Sequence, residues 1–188
     1  MTLTDLLVPT YRNMLQALKG LLDKAEAQLG ADKAEALLSA RLVPDMFPLA
    51  TQLRFAAVQA YDGPRRLSGD PPPPAMEDTL GEGRNAGEHP GTLAEARARI
   101  DQALAWLDTL APDALDPAQP GELMILDLEM GLTFDLTKEQ FARDWALGQF
   151  YFHVMSAYAI LRKEGVEIGK ADYVPHMFGY LRAGEAVS

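Results

Sequence analysis

The segment 138–164 constrains the fold most, because apolar side chains surround it on almost every side. Thr137 and Gln140 have the spacing of a capping box at its start, and Gly165 is placed to end a helix. Its large apolar residues are Phe141, Trp145, Leu147, Phe150, Tyr151, Phe152, Val154, Met155, Tyr158, Ile160 and Leu161. A helix that is hydrophobic around its circumference belongs in an interior. We therefore predict a central α-helix that needs other helices around it.

Helical periodicity marks three further long segments. Residues 3–29 repeat apolar side chains every three or four positions, and a second helix should begin near Pro44 or Pro48. The third covers about 92–111, where Thr92 and Glu95 form another capping box. A short helix is expected over 32–40. The chain thus supplies the four long helices of a bundle.

The connections differ in character. The pair Gly63-Pro64 is expected to interrupt or kink the second helix. Ten of the 23 residues in 69–91 are Gly or Pro, which predicts a long loop with a polyproline II piece. Apolar residues alternate with others over 122–136, around Met130-Gly131, which indicates a two-stranded hairpin. The tail, 166–188, is predicted to be irregular.

Together these segments predict one domain over residues 1–188. Its fold class is all-α, a four-helix bundle with a small β-hairpin before the last helix. No alternation of strands and helices is present that would build a parallel sheet.

Charge and composition limit the partners. With 17 Lys and Arg against 27 Asp and Glu, the net charge is −10, which disfavours nucleic acid and anionic membranes. The chain has no cysteine, so thiolate and disulfide chemistry are excluded. We expect no membrane span and no secretory signal, and hence a cytoplasmic protein. No Lys or Arg occurs between Ile100 and Thr137, so this acidic region serves either solubility or a basic partner.

His153 is the histidine of most interest, because it lies inside the most apolar helix. Its helical face also carries Gln149 and several small residues, which leave room for close helix contact or a cavity. A metal site would need a second ligand at i+4 or a Glu at i−3, where the chain has Ala157 and Phe150. His153 is therefore the only candidate metal ligand, and alone it cannot hold a transition metal tightly.

Several blocks of sequence resemble a known family. They are the segments 21–25 (LLDKA), 41–49 (RLVPDMFPL), 150–153 (FYFH), 158–162 (YAILR), 165–166 (GV) and 169–173 (GKADY). In this order they resemble an uncharacterised bacterial branch of the DinB-like (YfiT-like) metalloenzyme superfamily, over nearly the whole chain. Residues 81–91, which look like an insertion, and Asp62-Gly63-Pro64 depart from the family pattern.

The resemblance implies an up-down-down-up four-helix bundle that is often a homodimer. In metal-binding members, one His comes from helix two and two come from an H-x-x-x-H motif on helix four. His153 corresponds to the first of that pair, and Ala157 replaces the second. Helix two offers Gln52 or Gln59 instead of a His. Thiol-dependent transferases and isomerases of the superfamily use this metal, and the triad is missing here.

Two interpretations compete. In the first, the protein is a metal-free bundle that binds a small molecule or a protein partner in a pocket near Gln52, Gln149 and His153. No cofactor is expected in that case, and the protein is not an enzyme. In the second, His153 works with Asp45 or another carboxylate as an acid–base catalyst, or holds a weakly bound Zn or Ni. Asp45 is also predicted to be the N-cap of a helix that opens at Met46.

Overall fold

The computed structural model describes residues 1–117, 119–128 and 131–182. Helices dominate this part of the chain, and one antiparallel hairpin interrupts them. The helices are α1 (Leu3–Leu29), α2 (Ala31–Ala36) followed by a 3-10 turn (Leu37–Ser39), α3 (Leu49–Ser68), α4 (Pro74–Asn85), α5 (Leu93–Leu107), α6 (Lys138–Gln140), α7 (Leu147–Lys163) and α8 (Lys170–Tyr173). The strands are β1 (Leu123–Leu128) and β2 (Leu132–Thr137).

Reciprocal capping boxes start three of these helices. The Thr92 hydroxyl accepts from the backbone N–H of Glu95, whose carboxylate accepts from the N–H of Thr92, at the start of α5. Thr137 and Gln140 do the same at α6. A third box, formed by Thr2 and Asp5, starts α1. Each satisfies backbone donors that the first helical turn leaves without partners.

Helix α3 occupies the centre of the bundle, packed against α1, α4, α5 and α7. Its small buried residues let neighbouring helices approach closely; they include Ala50, Ala56, Ala57 and Ala60. The expectation that the last helix is the central one is wrong. Helix α7 contributes Phe150, Val154, Ala157 and Ile160 to the core but exposes Tyr151, Phe152 and Met155. Apolar content alone misleads here, because these three large side chains face outwards.

Helix α3 continues through Gly63-Pro64, so the predicted interruption does not occur. A residue before proline normally leaves the helical region, because its backbone N–H and its Cβ collide with the proline ring. Gly63 has no Cβ, which removes part of that collision, although α1 also continues through Val8-Pro9. The missing side chain also leaves room for Tyr11 of α1, whose hydroxyl oxygen would collide with a Cβ on Gly63. The pair therefore permits close packing of α1 on α3.

We expect Gly63→Ala to lower the free energy of unfolding by about 2 kcal/mol, because the new methyl group overlaps the Tyr11 hydroxyl. Tyr11→Phe removes that oxygen. Its hydroxyl is buried without a hydrogen-bond partner in the described chain, so Tyr11→Phe itself should not destabilise. In the Tyr11→Phe background, Gly63→Ala should cost less than half as much. Urea denaturation of the four proteins measures this coupling, and additive effects would contradict it.

The prediction of a loop over 69–91 is wrong for most of this segment, because helix α4 spans Pro74–Asn85. Pro74 begins the helix, where a proline loses no hydrogen bond. Gly83 lies against Phe55 and Arg54 of α3: a Cβ there would be 2.5 Å from Phe55 Cε1 and 3.3 Å from Arg54 Cβ. Gly83 therefore reflects close packing of α4 on α3 rather than chain flexibility.

The hairpin pairs Leu123 with Thr137 and Leu128 with Leu132, close to the predicted boundaries. A π-helical segment, Phe141–Ala146, joins α6 to α7. The tail, predicted to be irregular, contains α8 and a 3-10 turn at Pro175–Tyr180, while 183–188 lie outside the described residues.

The predicted all-α bundle with a β-hairpin before its last long helix is confirmed. One cluster of buried hydrophobic residues runs through α1, α3, α5 and α7. Within the described residues, none of the helices has the length and apolar character required to cross a bilayer.

Candidate functional site

A chain of two hydrogen bonds connects His153 to the segment that enters α3. His153 projects from α7 and its Nδ1 lies 2.9 Å from Oε1 of Gln52 on α3. The amide nitrogen of Gln52 donates to the carbonyl oxygen of Phe47 at 3.2 Å. Gln52 is buried, so both ends of its amide need partners, and both have them. The structure therefore joins two of the predicted site residues directly.

These contacts determine which imidazole nitrogen carries the proton. Because the amide nitrogen of Gln52 is committed to Phe47, its oxygen faces His153 and can only accept. Nδ1 of His153 is then the N–H donor, and Nε2 keeps a lone pair. Nε2 has no hydrogen-bond partner among the described residues and retains solvent contact, although His153 is only 7% exposed. The site thus presents one uncharged acceptor to the outside.

Two aromatic rings pack against the imidazole of His153. The rings of Phe55 and Phe152 each meet the imidazole edge to face, with centroids 5.3 Å away. Phe47 packs on Phe55 at 5.6 Å. Phe47 and Phe152 are 52% and 54% exposed, so they add exposed apolar surface next to the buried imidazole. We call Phe47, Phe55, Phe152 and His153 the imidazole patch.

Burial lowers the pKa of His153 from its ordinary value of 6.5 to about 4. The cause is loss of hydration, which disfavours the charged imidazolium. The imidazole is therefore neutral at physiological pH.

The other predicted site residues are placed differently. Gln149 lies one turn before His153 on α7 and is half-buried, and no hydrogen bond joins it to Gln52 or His153 in the described chain. Asp45 is exposed in a turn. The prediction that it caps a helix at Met46 is wrong: α3 starts at Leu49 after Pro48, whose carbonyl accepts from Thr51 and Gln52. Pro48 disfavours the helical conformation of Phe47, so the helix starts about one turn later than predicted.

None of five well-formed cavities of the described residues is lined by Gln52, Gln149 or His153. The site is a surface patch with a buried imidazole as its floor.

The donors do not fit the metal centre of the superfamily. The side chain that faces His153 is the Gln52 amide, a poor ligand, and Ala157 is fully buried at the position of the second His. Within the described residues, no group of three His, Cys, Asp or Glu side chains could hold a metal ion.

Sequence reasoning found His153 and Gln52 but missed the rings around them. Phe47 and Phe152 both stand in the blocks that carry the family resemblance, 41–49 and 150–153. The available signal was therefore Phe152 directly before His153 and Phe47 five residues before Gln52. It was not used, because the exposure of those rings depends on how α3 and α7 pack.

Comparisons with known proteins agree with this architecture. A family model described as a domain of unknown function, DUF1993, matches residues 3–174. The crystal structure of a DinB family member from Shewanella denitrificans is similar, with a TM-score of 0.75 and 32% identity. The match covers 98% of this chain and 96% of that one. No curated protein matches. The chain therefore belongs to the DUF1993 family and has a DinB-like helical fold.

Proposed function

We propose that this protein is a binding protein rather than an enzyme, and that its ligand is a small molecule held on the imidazole patch. The observation that supports this most is the neutral imidazole whose Nε2 is free to accept while its Nδ1 is committed to Gln52. A fitting ligand has an O–H or N–H donor attached to a flat apolar ring. The donor meets Nε2, and the ring covers Phe47 and Phe152.

Energetics favour such a ligand over a charged one. Two aromatic rings pack against the imidazole, and a charge brought among them would lose hydration. A neutral donor gains one hydrogen bond, and its ring removes exposed phenyl surface from water. Binding requires no change of protonation, since His153 is already neutral.

Phenol and anisole provide a matched pair of probes, because anisole has the same ring without the donor. We expect phenol to bind with a Kd in the millimolar range and anisole to bind about fivefold more weakly, the value of one hydrogen bond. A 1H–15N spectrum of the His153 imidazole reports contact at Nε2 directly. Equal affinity for the two probes would contradict the proposal.

The matched variant is the double substitution Gln52→Leu with His153→Phe. Neither side of the Gln52–His153 hydrogen bond is then left buried and unpaired, and the Phe47 carbonyl that loses Gln52 belongs to an exposed residue, so the fold should persist. This variant should bind phenol and anisole equally. Exposed Gln16→Leu on α1 is a control for nonspecific binding of aromatic probes, and it should leave both affinities unchanged.

The alternative function is a metal- or thiol-dependent transferase or hydrolase that uses His153. Metal analysis of the purified protein separates the two. Stoichiometric zinc or nickel that is lost in His153→Ala would overturn the binding proposal. The homodimer that the resemblance implies remains a prediction.

A further inference from the structure

A second polar site lies where α3, α4 and α5 meet, away from the imidazole patch. A cleft of about 320 Å³ is present there. Its lining residues are Arg54, Glu82, Asn85, His89, Gly91 and Glu95. The volume is at the small end of the range of ligand sites in proteins. None of the residues of the imidazole patch lines it.

The floor of the cleft is a buried cation. Arg54 is only 2% exposed, near the start of the largely buried helix α3. Its Nε donates to Glu82 at 3.2 Å and its Nη1 donates to the carbonyl of Ala50 at 3.1 Å. Nη2 donates to no described residue. A buried guanidinium normally uses all its donors, so the two N–H groups of Nη2 are available to an acceptor in the cleft.

Glu82 accepts from Nε of Arg54 and not from its Nη2. Arg99 of α5 donates to both of its carboxylate oxygens from Nε, at 3.2 Å each. The hydrogen bonds from Arg99, and then those from Arg54, lower the pKa of Glu82, while burial opposes them. Glu82 is therefore a carboxylate shared by two arginines, and its charge is balanced by Arg99.

The carboxylate of Glu95 forms the opposite wall of the cleft. Glu95 Oε2 accepts from the N–H of Thr92 at 2.7 Å, as part of the capping box of α5. No ion pair joins Glu95 to Arg54 in the described chain. Both groups approach Gly91: a Cβ at that position would be 2.7 Å from Arg54 Nη2 and 2.7 Å from Glu95 Oε2. Because Gly91 has no side chain, the space between the Arg54 guanidinium and the Glu95 carboxylate stays open.

We propose that this cleft binds the zwitterionic head of a free α-amino acid, with its carboxylate on Arg54 Nη2 and its ammonium group on Glu95. A simple carboxylate would face Glu95 without compensation, and a simple amine would face Arg54. A molecule with both charges on neighbouring carbons matches both walls. Asn85 and His89, which are exposed at the rim, lie where the ligand side chain would emerge.

Thermal denaturation with each standard L-amino acid in turn, at about 10 mM, is the first test. A ligand with a Kd of about 1 mM should raise Tm by roughly 4 °C. If no amino acid raises Tm, the proposal is wrong.

The best ligand is then compared by calorimetry with its two half-molecules, the carboxylic acid without the amino group and the amine without the carboxylate. Each should bind at least about tenfold more weakly, because one of its two charge contacts is lost. Equal binding of either half-molecule would overturn the zwitterion assignment.

Glu95→Gln tests the ammonium contact without disturbing the fold, because Gln at this position also completes a capping box. This variant should lose most of its preference for the amino acid over the carboxylic acid. Glu77→Gln, an exposed position on α4 that does not line the cleft, should behave as wild type. The double variant Gln52→Leu with His153→Phe should also bind the amino acid normally. An unchanged preference in Glu95→Gln would contradict the proposed contact.

Discussion

Phe150→Ala is expected to lower the free energy of unfolding by about 4 kcal/mol, the usual cost of truncating a fully buried phenylalanine. Phe150 is completely buried on α7. Its ring meets the Tyr11 ring of α1 edge to face, with centroids 4.7 Å apart. Loss of the side chain removes this contact and leaves a cavity where α1 and α7 meet, and rigid helices cannot close such a cavity.

Phe152→Ala is the matched control, since it removes the same side chain two residues further along the same helix. Phe152 is more than half exposed, and its ring lies edge to face against the imidazole of His153. We expect a loss of less than about 1 kcal/mol. Urea denaturation of the two variants measures both values. Similar losses at the two positions would show that α7 does not present Phe150 inwards and Phe152 outwards.

The stability of the protein should decrease as the pH falls from 6.5 towards about 4, because of His153. In the unfolded chain the imidazole takes up a proton below its ordinary pKa of 6.5, whereas in the fold it stays neutral until about pH 4. The unfolded state therefore binds more protons in this window, and acidification favours it. The full effect of this one group is ~3 kcal/mol.

Carboxylates also titrate in the lower part of this window, so the measurement compares two proteins. The double variant Gln52→Leu with His153→Phe lacks the imidazole but keeps every acidic group. Urea denaturation between about pH 7 and pH 4.5 should show a steeper loss of stability in the wild type than in this variant. Parallel curves would mean that His153 is not held neutral by the fold.

The helices were predictable where periodicity and end signals agreed. Helix α1 matches its predicted bounds, and the capping boxes at Thr92 and Thr137 mark true helix starts. The errors occurred where Gly and Pro were interpreted as breaks. Gly83 lies inside α4 where Phe55 of α3 occupies the space of a side chain, and Gly63 lies inside α3 where Tyr11 of α1 does so. Such reasons lie in tertiary packing, which a single sequence does not display.

The candidate site was predictable only in part, for a similar reason. His153 was conspicuous as a polar residue in an apolar helix, and Gln52 was named from the family pattern; the structure joins them. The commitment of the Gln52 amide to Phe47 depends on how the chain enters α3, which the N-cap prediction at Asp45 placed one turn too early. Arg54 was overlooked because a charged residue in a helix is usually solvated, and this one is not.

The amide of Gln52 makes the chemistry of His153 depend on the backbone before α3. Withdrawal of the Phe47 carbonyl would free this amide to rotate by half a turn, so that its nitrogen faced the imidazole. Nδ1 would then have to accept, and the proton would move to Nε2. The outer nitrogen would change from acceptor to donor without any change of charge. A small displacement of one peptide group could thus invert the polarity of the patch.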